Sequence, residues 1–188
     1  IKVKEMSFLD AVKVLNGQAV QMIRCEKPPP AARKLLLPQL DTNTDKAVAY
    51  LKSRGIHQKI IAYCIQHGLL FQAKDGNDVI FVGYDTKGVQ RYAAVRSMTT
   101  DYKGEATGSD KHFSFALVAD ERPVREVHVF EAAIDAMSYA SLKIMYCKDW
   151  RKIAYLSLAG VFASKRANVV PVALEQFLKD HPQITKVV

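Results

Sequence analysis

The stretch that decides the fold is Val127-His128-Val129-Phe130-Glu131-Ala132-Ala133-Ile134-Asp135-Ala136-Met137. Its first half alternates as a strand, and its second half has the apolar spacing of a helix. Glu131 stands at the junction, where the strand delivers a carboxylate straight into a helix start. In open parallel sheets, ligands collect at the carboxyl ends of the strands. Asp135 follows four residues on, in the first helical turn, where it can share a side with Glu131. Two such carboxylates suit a hard cation such as Mg²⁺, which prefers oxygen ligands and keeps several waters. The spacing leaves simpler readings open and slightly favours them. Asp135 also reads as a first-turn acid that complements the helix dipole, and Glu131 as a solvated loop acid.

Outward from this stretch, the pattern from residue 126 is strand, helix, strand, helix, strand. The expected strands are 126–130, 153–158 and one beginning near Ile184; the expected helices are 133–147 and 171–180, the second opened by Pro171. Such alternation predicts a parallel sheet with crossover helices. Before it, 44–54 and 57–67 read as an αα-hairpin whose helices stop at Gly55 and Gly68. Residues 79–84 and 89–96 flank Asp85-Thr86-Lys87-Gly88 as a β-hairpin, 97–111 reads as a polar loop, and 112–118 as a further strand. Further upstream, residues 7–15 read as a short helix capped by Ser7 and ended by Gly17, and Pro28-Pro29-Pro30 as an extended linker.

The chain has 188 residues, of which 49% are hydrophobic, enough for one large domain or two small ones. Its 27 Lys and Arg against 19 Asp and Glu give a net charge of +8, which favours an anionic partner, nucleic acid first. Cys25, Cys64 and Cys147 are odd in number and form no C-x-x-C pair, so neither a zinc site nor a disulfide framework is expected, and a reducing cytoplasm fits. No apolar run reaches bilayer length and there is no signal peptide, so no membrane partner is expected. His57 and His67 lack zinc spacing, and His128 reads as a packed or surface side chain. Ser157 lies in no nucleophile elbow, and Gly104 and Gly108 are too sparse for a phosphate loop. The basic residues Arg91, Arg96, Lys103 and Lys111 cluster around the hairpin's second strand and the following loop. They read either as phosphate contacts or as solvated charges, and Lys165-Arg166 likewise. Tyr84, Tyr92 and Phe113 can stack bases, but strand aromatics more often pack in a core.

Val129-Phe130-Glu131-Ala132-Ala133-Ile134-Asp135-Ala136-Met137-Ser138-Tyr139-Ala140 resembles the first motif of Toprim domains, the fold shared by bacterial primases, topoisomerases and some nucleases. Leu156-Ser157-Leu158-Ala159-Gly160 resembles the family's second strand and its small-residue turn. Residues 47–56, the hairpin, Arg96 and Gly108-Ser109-Asp110-Lys111 resemble the segment that accompanies Toprim-like domains in primase-like proteins of mobile genetic elements. Residues 4–17 look like the tail that follows a primase-type zinc ribbon.

The resemblance implies an α/β fold, an incomplete Toprim-like (Rossmann-like) parallel βαβαβ unit preceded by a mixed α+β module. It implies a helical tail over 1–24, a Pro-rich linker over 25–41, a primase-associated module over 42–119 and the Toprim-like domain over 120–188. It further implies a Mg²⁺-dependent nucleotidyl transfer, with Glu131 as metal ligand or general acid/base and Asp135 in support. Arg96 and Lys111, with Lys103 and Arg91 nearby, would hold nucleotide or template phosphates. DNA, nucleotides and replication or mobile-element proteins are the implied partners. A Toprim-type nuclease and a non-catalytic DNA-binding or interaction module are the rival readings. Two departures stand out: Ala132 replaces the usual glycine, and the Asp-x-Asp pair that follows the family's third strand would lie beyond Val188. Both ends look cut, and the chain by itself is expected to bind metal weakly and to catalyse nothing.

Overall fold

A computed structural model describes residues 34–119, 123–160 and 170–188. The expected helix at 7–15, the three prolines, Cys25 and Lys165-Arg166 lie outside the described residues. Two short helices, α1 (Asp45–Ser53) and α2 (Gln58–Gln66), come first. Four antiparallel strands follow, β1 (Leu70–Gln72), β2 (Asp78–Tyr84), β3 (Gln90–Ser97) and β4 (Lys103–Glu105), in spatial order β1-β2-β3-β4. The second sheet has order β5-β7-β6-β8, built from β5 (Ala116–Leu117), β6 (Glu126–Phe130), β7 (Ala154–Ser157) and β8 (Lys186–Val187). Helix α3 (Ala133–Met145) connects β6 to β7, and α4 (Val172–Asp180) lies between β7 and β8. Strand β6 pairs in parallel with both β7 and β8, while β5 runs antiparallel on β7. The expected α/β class, a parallel βαβαβ unit behind an α+β module, is the one observed.

Glycine stops and apolar spacing fix the helical hairpin. Ala47 and Leu51 of α1 and Ile60, Ile61 and Cys64 of α2 are buried, and Gly55 and Gly68 take positive φ just past each helix. His57 caps α2, its Nδ1 accepting from the Lys59 amide at 3.1 Å. Helix α3 buries one face, the small Ala133, Ala136, Ala140 and Ser141 together with the larger Met137, at helical spacing. That face shares one core with α1, α2, Phe81, Phe115 and Tyr155, so side chains from before and after residue 120 pack together. The Ser141 hydroxyl also accepts the His57 amide at 2.8 Å, tying α2 to α3. Two smaller clusters cover the opposite faces: Leu35, Leu37 and Leu40 lie over β2 and β3, and Phe177 of α4 lies over β6 and β7.

Three local expectations change. The strand expected at 112–118 is a 3-10 turn, Lys111–Phe113, followed by the two-residue β5. The cause is local: the Asp110 side chain accepts the His112 amide and so caps a turn, which breaks strand pairing. The loop at 97–111 contains β4, which pairs with β3 through Ala94↔Glu105, Val95↔Gly104 and Arg96↔Lys103. Pro171 precedes α4 as its cap, with extended ψ, so the helix begins at Val172. Gly83 has a specific task. The backbone of Phe113–Ser114 crosses β2 so closely there that any Cβ would strike the Phe113 carbonyl. This approach seats the 111–113 turn, and with it Lys111, against the first sheet.

Candidate functional site

Strands β6 and β7 end side by side, in register Phe130↔Ser157, so the chain leaves both at one rim of the sheet. Strand β6 has β7 on one flank and β8 on the other, so the strand order reverses about the strand that leads into Glu131. The turn after β7 holds the Glu131 backbone: its carbonyl accepts the Gly160 amide at 3.0 Å and the Ser157 hydroxyl at 3.3 Å. Ala159 takes φ +58°, a left-handed conformation that strains any residue with a Cβ, and Gly160 takes +113°. A non-glycine residue held in this conformation persists only where its surroundings over-determine it.

Glu131 and Asp135 line the same open cleft of about 540 Å³. Its opposite wall is the cleft-facing side of β3 and β4, with Tyr92, Ala94, Arg96, Lys103 and Glu105, and Arg54 enters from the end of α1. Period-2 alternation explains that wall, because residues 92, 94 and 96 share one face of β3 and their partners 103 and 105 share one face of β4. Arg96 and Lys103 stand directly opposite each other. Like charges so placed repel and destabilise a sheet unless an anion lies between them. Arg96 Nε donates to the Tyr50 hydroxyl at 3.3 Å, which aims the guanidinium from α1 without neutralising it. Among the described residues, Arg54, Arg96 and Lys103 have no carboxylate in ion-pair range.

The carboxylates differ in what they are free to do. One Asp135 oxygen, Oδ2, accepts the Ala132 amide at 3.2 Å and so caps α3, which leaves the other for a ligand. The first-turn acid of the sequence reading is thus seen as a helix cap, with the second oxygen uncommitted among the described residues. The Glu131 side chain is exposed and has no hydrogen-bond partner among the described residues. No group of three or more His, Cys, Asp or Glu side chains converges among the described residues. The donor set at the rim is thus Glu131 plus one Asp135 oxygen. That set fits Mg²⁺, which proteins commonly hold with one or two carboxylates while substrate phosphates and water complete the shell.

The remaining expected residues sit elsewhere. Lys111 reaches the cleft's edge, but its Nζ is paired with Glu105 Oε1 at 2.9 Å and donates to the Ala159 carbonyl at 3.0 Å. Arg91 stacks over the Phe113 ring at 5.6 Å and lies 3.9 Å from Asp85, away from the cleft. Tyr92 is 2% exposed, and its hydroxyl donates to Glu105 Oε1 at 3.3 Å. Burial first, then the Glu105 charge and that hydrogen bond, push its phenol well above the ordinary value, so Tyr92 acts as a neutral donor. Tyr84 donates to the Gly68 carbonyl at 2.6 Å, a packing role. His128 is buried, bonded to Glu126 at 2.7 Å and stacked on Tyr139. Sequence reasoning missed Arg54 and Glu105. A cation just past a helix reads as a dipole complement, and Glu105 lay in what read as loop.

A family model described as "Protein of unknown function (DUF3991)" matches residues 49–121, from within α1 through the first sheet and β5. A comparison with curated proteins finds no match. Among solved structures, the chain is similar to the DnaG primase catalytic domain bound to single-stranded DNA, with a TM-score of 0.45 and 14% identity. That similarity covers 78% of this chain and 56% of the other, so the chain spans just over half the length of the structure it matches.

Proposed function

We propose that the cleft is the phosphate- and metal-binding face of a primase-like DNA-processing domain, serving Mg²⁺-dependent nucleotidyl transfer. The observation that carries this reading is the opposition of two walls across one cleft: Arg54, Arg96 and Lys103, without a carboxylate partner among the described residues, on one side, and Glu131 and Asp135 on the other. Nucleotide and template phosphates would lie against the cations, with Arg96 able to grip two oxygens through its fork and Lys103 acting as a point charge. Glu131 and the free Asp135 oxygen would hold Mg²⁺. Bound there, the ion would neutralise charge on the transferring phosphoryl group. Everything else this chain does is positional. Tyr50 aims Arg96, and the 157–160 turn fixes the Glu131 backbone. Such preorganised charge supplies most of the catalysis in phosphoryl transfer. The Toprim-like motif at 127–137 supports the same assignment, as does a sequence pI near 9.4.

The test is binding of labelled single-stranded DNA and of a nucleoside triphosphate, comparing the chain with R54M/R96M/K103M. The reading predicts that the triple variant stays folded and loses at least about tenfold in affinity for both, since each phosphate contact contributes roughly a kcal/mol at low salt. Unchanged affinity for both ligands would end the proposal. DNA binding that survives while triphosphate binding was never present would assign a non-catalytic DNA-binding module. Strand cleavage in place of primer extension would assign the nuclease.

A further inference from the structure

Lys111 is expected among the phosphate ligands, yet its ammonium is already engaged on two sides. It pairs with Glu105 Oε1 on β4 at 2.9 Å and donates to the Ala159 carbonyl beyond β7 at 3.0 Å. Tyr92 donates to the same Glu105 oxygen at 3.3 Å, which orients the carboxylate toward the lysine. From Ala159 the connection continues. The next residue, Gly160, donates its amide to the Glu131 carbonyl at 3.0 Å, and Ser157 adds a second bond to that carbonyl at 3.3 Å. A continuous chain of contacts therefore runs from Tyr92 and Glu105 in the first sheet, through Lys111, to the backbone of Glu131 in the second.

We propose that Lys111 is a positioning residue, a strap that fixes the carboxylate rim against the cation wall, and that it is not itself a phosphate ligand. Three features support this. Ala159 holds a left-handed φ that is unfavourable for alanine, so its turn needs restraint from outside, and Lys111 supplies it at the carbonyl. Lys111 is delivered by a capped 3-10 turn seated at Gly83 rather than by a free loop, which limits how far it can move. A phosphate drawn to Lys111 would have to compete with a carboxylate already held by Tyr92, whereas Arg96 and Lys103 present no such competitor. The strap's effect on ligand binding rests on the function proposed above; the strap itself does not.

The experiment compares K111M, K111R, E105Q and the double variant K111M/E105Q with the parent chain, each checked for native circular dichroism. Hydrogen exchange of the amides at 158–160 is read without any ligand, and the affinity for inorganic triphosphate is read alongside. The strap predicts that exchange at Gly160 rises about fivefold to tenfold in both K111M and E105Q and stays within about twofold of the parent in K111R. It also predicts that K111M weakens triphosphate binding less in the E105Q background than in the parent, because the strap is already released there. A phosphate-ligand lysine predicts the opposite, because E105Q frees the ammonium for the anion and K111M then removes more. Unchanged exchange in K111M or in E105Q, or a larger K111M effect on binding in the E105Q background, overturns the proposal. If no variant and no parent binds triphosphate, the functional reading fails while the exchange result still decides the strap.

Discussion

Replacing Lys103 by glutamine separates stability from binding, and the two are expected to move in opposite directions. Lys103 and Arg96 are a direct cross-strand pair on β4 and β3, with no carboxylate in ion-pair range among the described residues. Directly opposed residues have Cβ atoms about 4.5–5.5 Å apart, and for flexible charged heads splaying outward a separation on the order of 6–7 Å follows. At the dielectric of an exposed surface, Coulomb's law then gives a repulsion of about 0.6 kcal/mol, within the range measured for such pairs. K103Q relieves it, so the fold should gain about 0.5 kcal/mol, or roughly 1–2 °C in Tm for a chain of this size. Binding should suffer. Each phosphate contact on a single strand contributes about 0.7 to the slope of log K against log salt concentration, so K103Q should flatten that slope by about 0.7. Calorimetric melting and fluorescence anisotropy across a salt series read the two quantities independently. A lower Tm together with an unchanged salt slope would refute the reasoning, because Lys103 would then be packing rather than waiting for an anion. This is the stability–function exchange expected where a site is held in an unfavourable charge state until its ligand arrives.

Other expectations concern the scaffold. G83A should cost about 2–3 kcal/mol in urea unfolding, because backbone crosses β2 at that residue and cannot move aside as a side chain would; a cost below about 0.5 kcal/mol would mean the crossing is looser than described. Burial pushes the Cys64 thiol far above its ordinary value, so it should resist alkylation in the native protein while exposed Cys147 reacts, as peptide mass mapping would show. The hydrogen bond from Lys186, then that from His128, hold the Glu126 carboxyl below its ordinary value. A group depressed in the folded state stabilises above its unfolded pKa, and that contribution is lost as pH falls through the folded one. Pairing of β8 with β6 should therefore loosen below the ordinary carboxylate range. Exchange at the Val188 amide, which donates to the Val127 carbonyl at 2.9 Å, should reveal it, and E126Q should show no such acid step.

How much was legible in the sequence depended on how local each cause was. The junction at Glu131 was readable because strand alternation changes to helical spacing within a few residues, and both patterns are set by burial on one face. The glycine-stopped helices and the β2–β3 hairpin were readable for the same reason. Strand β4 was not: Lys-Gly-Glu carries no apolar alternation, and its pairing depends on β3 lying alongside. The 111–113 turn depends on a crossing at Gly83, nearly thirty residues earlier in the chain. At the site, Glu131, Asp135, Arg96 and Lys103 were identifiable by residue type and are brought together by the fold. Arg54 was masked by its helix-end position, and the partner that engages Lys111 lay in an unrecognised strand. Arg91 shows the limit of charge clustering along a strand, since it sits next to Tyr92 but on the face that stacks on Phe113.

The central claim is that Glu131 brings a divalent cation to phosphates held by the opposite wall. Isothermal titration of a nucleoside triphosphate, with and without Mg²⁺, into the chain and into E131Q tests it directly. The account predicts that Mg²⁺ strengthens binding to the parent chain about tenfold or more, that E131Q loses this gain, and that metal-free affinity and Tm stay the same in both. An equal Mg²⁺ effect in the two proteins would contradict it.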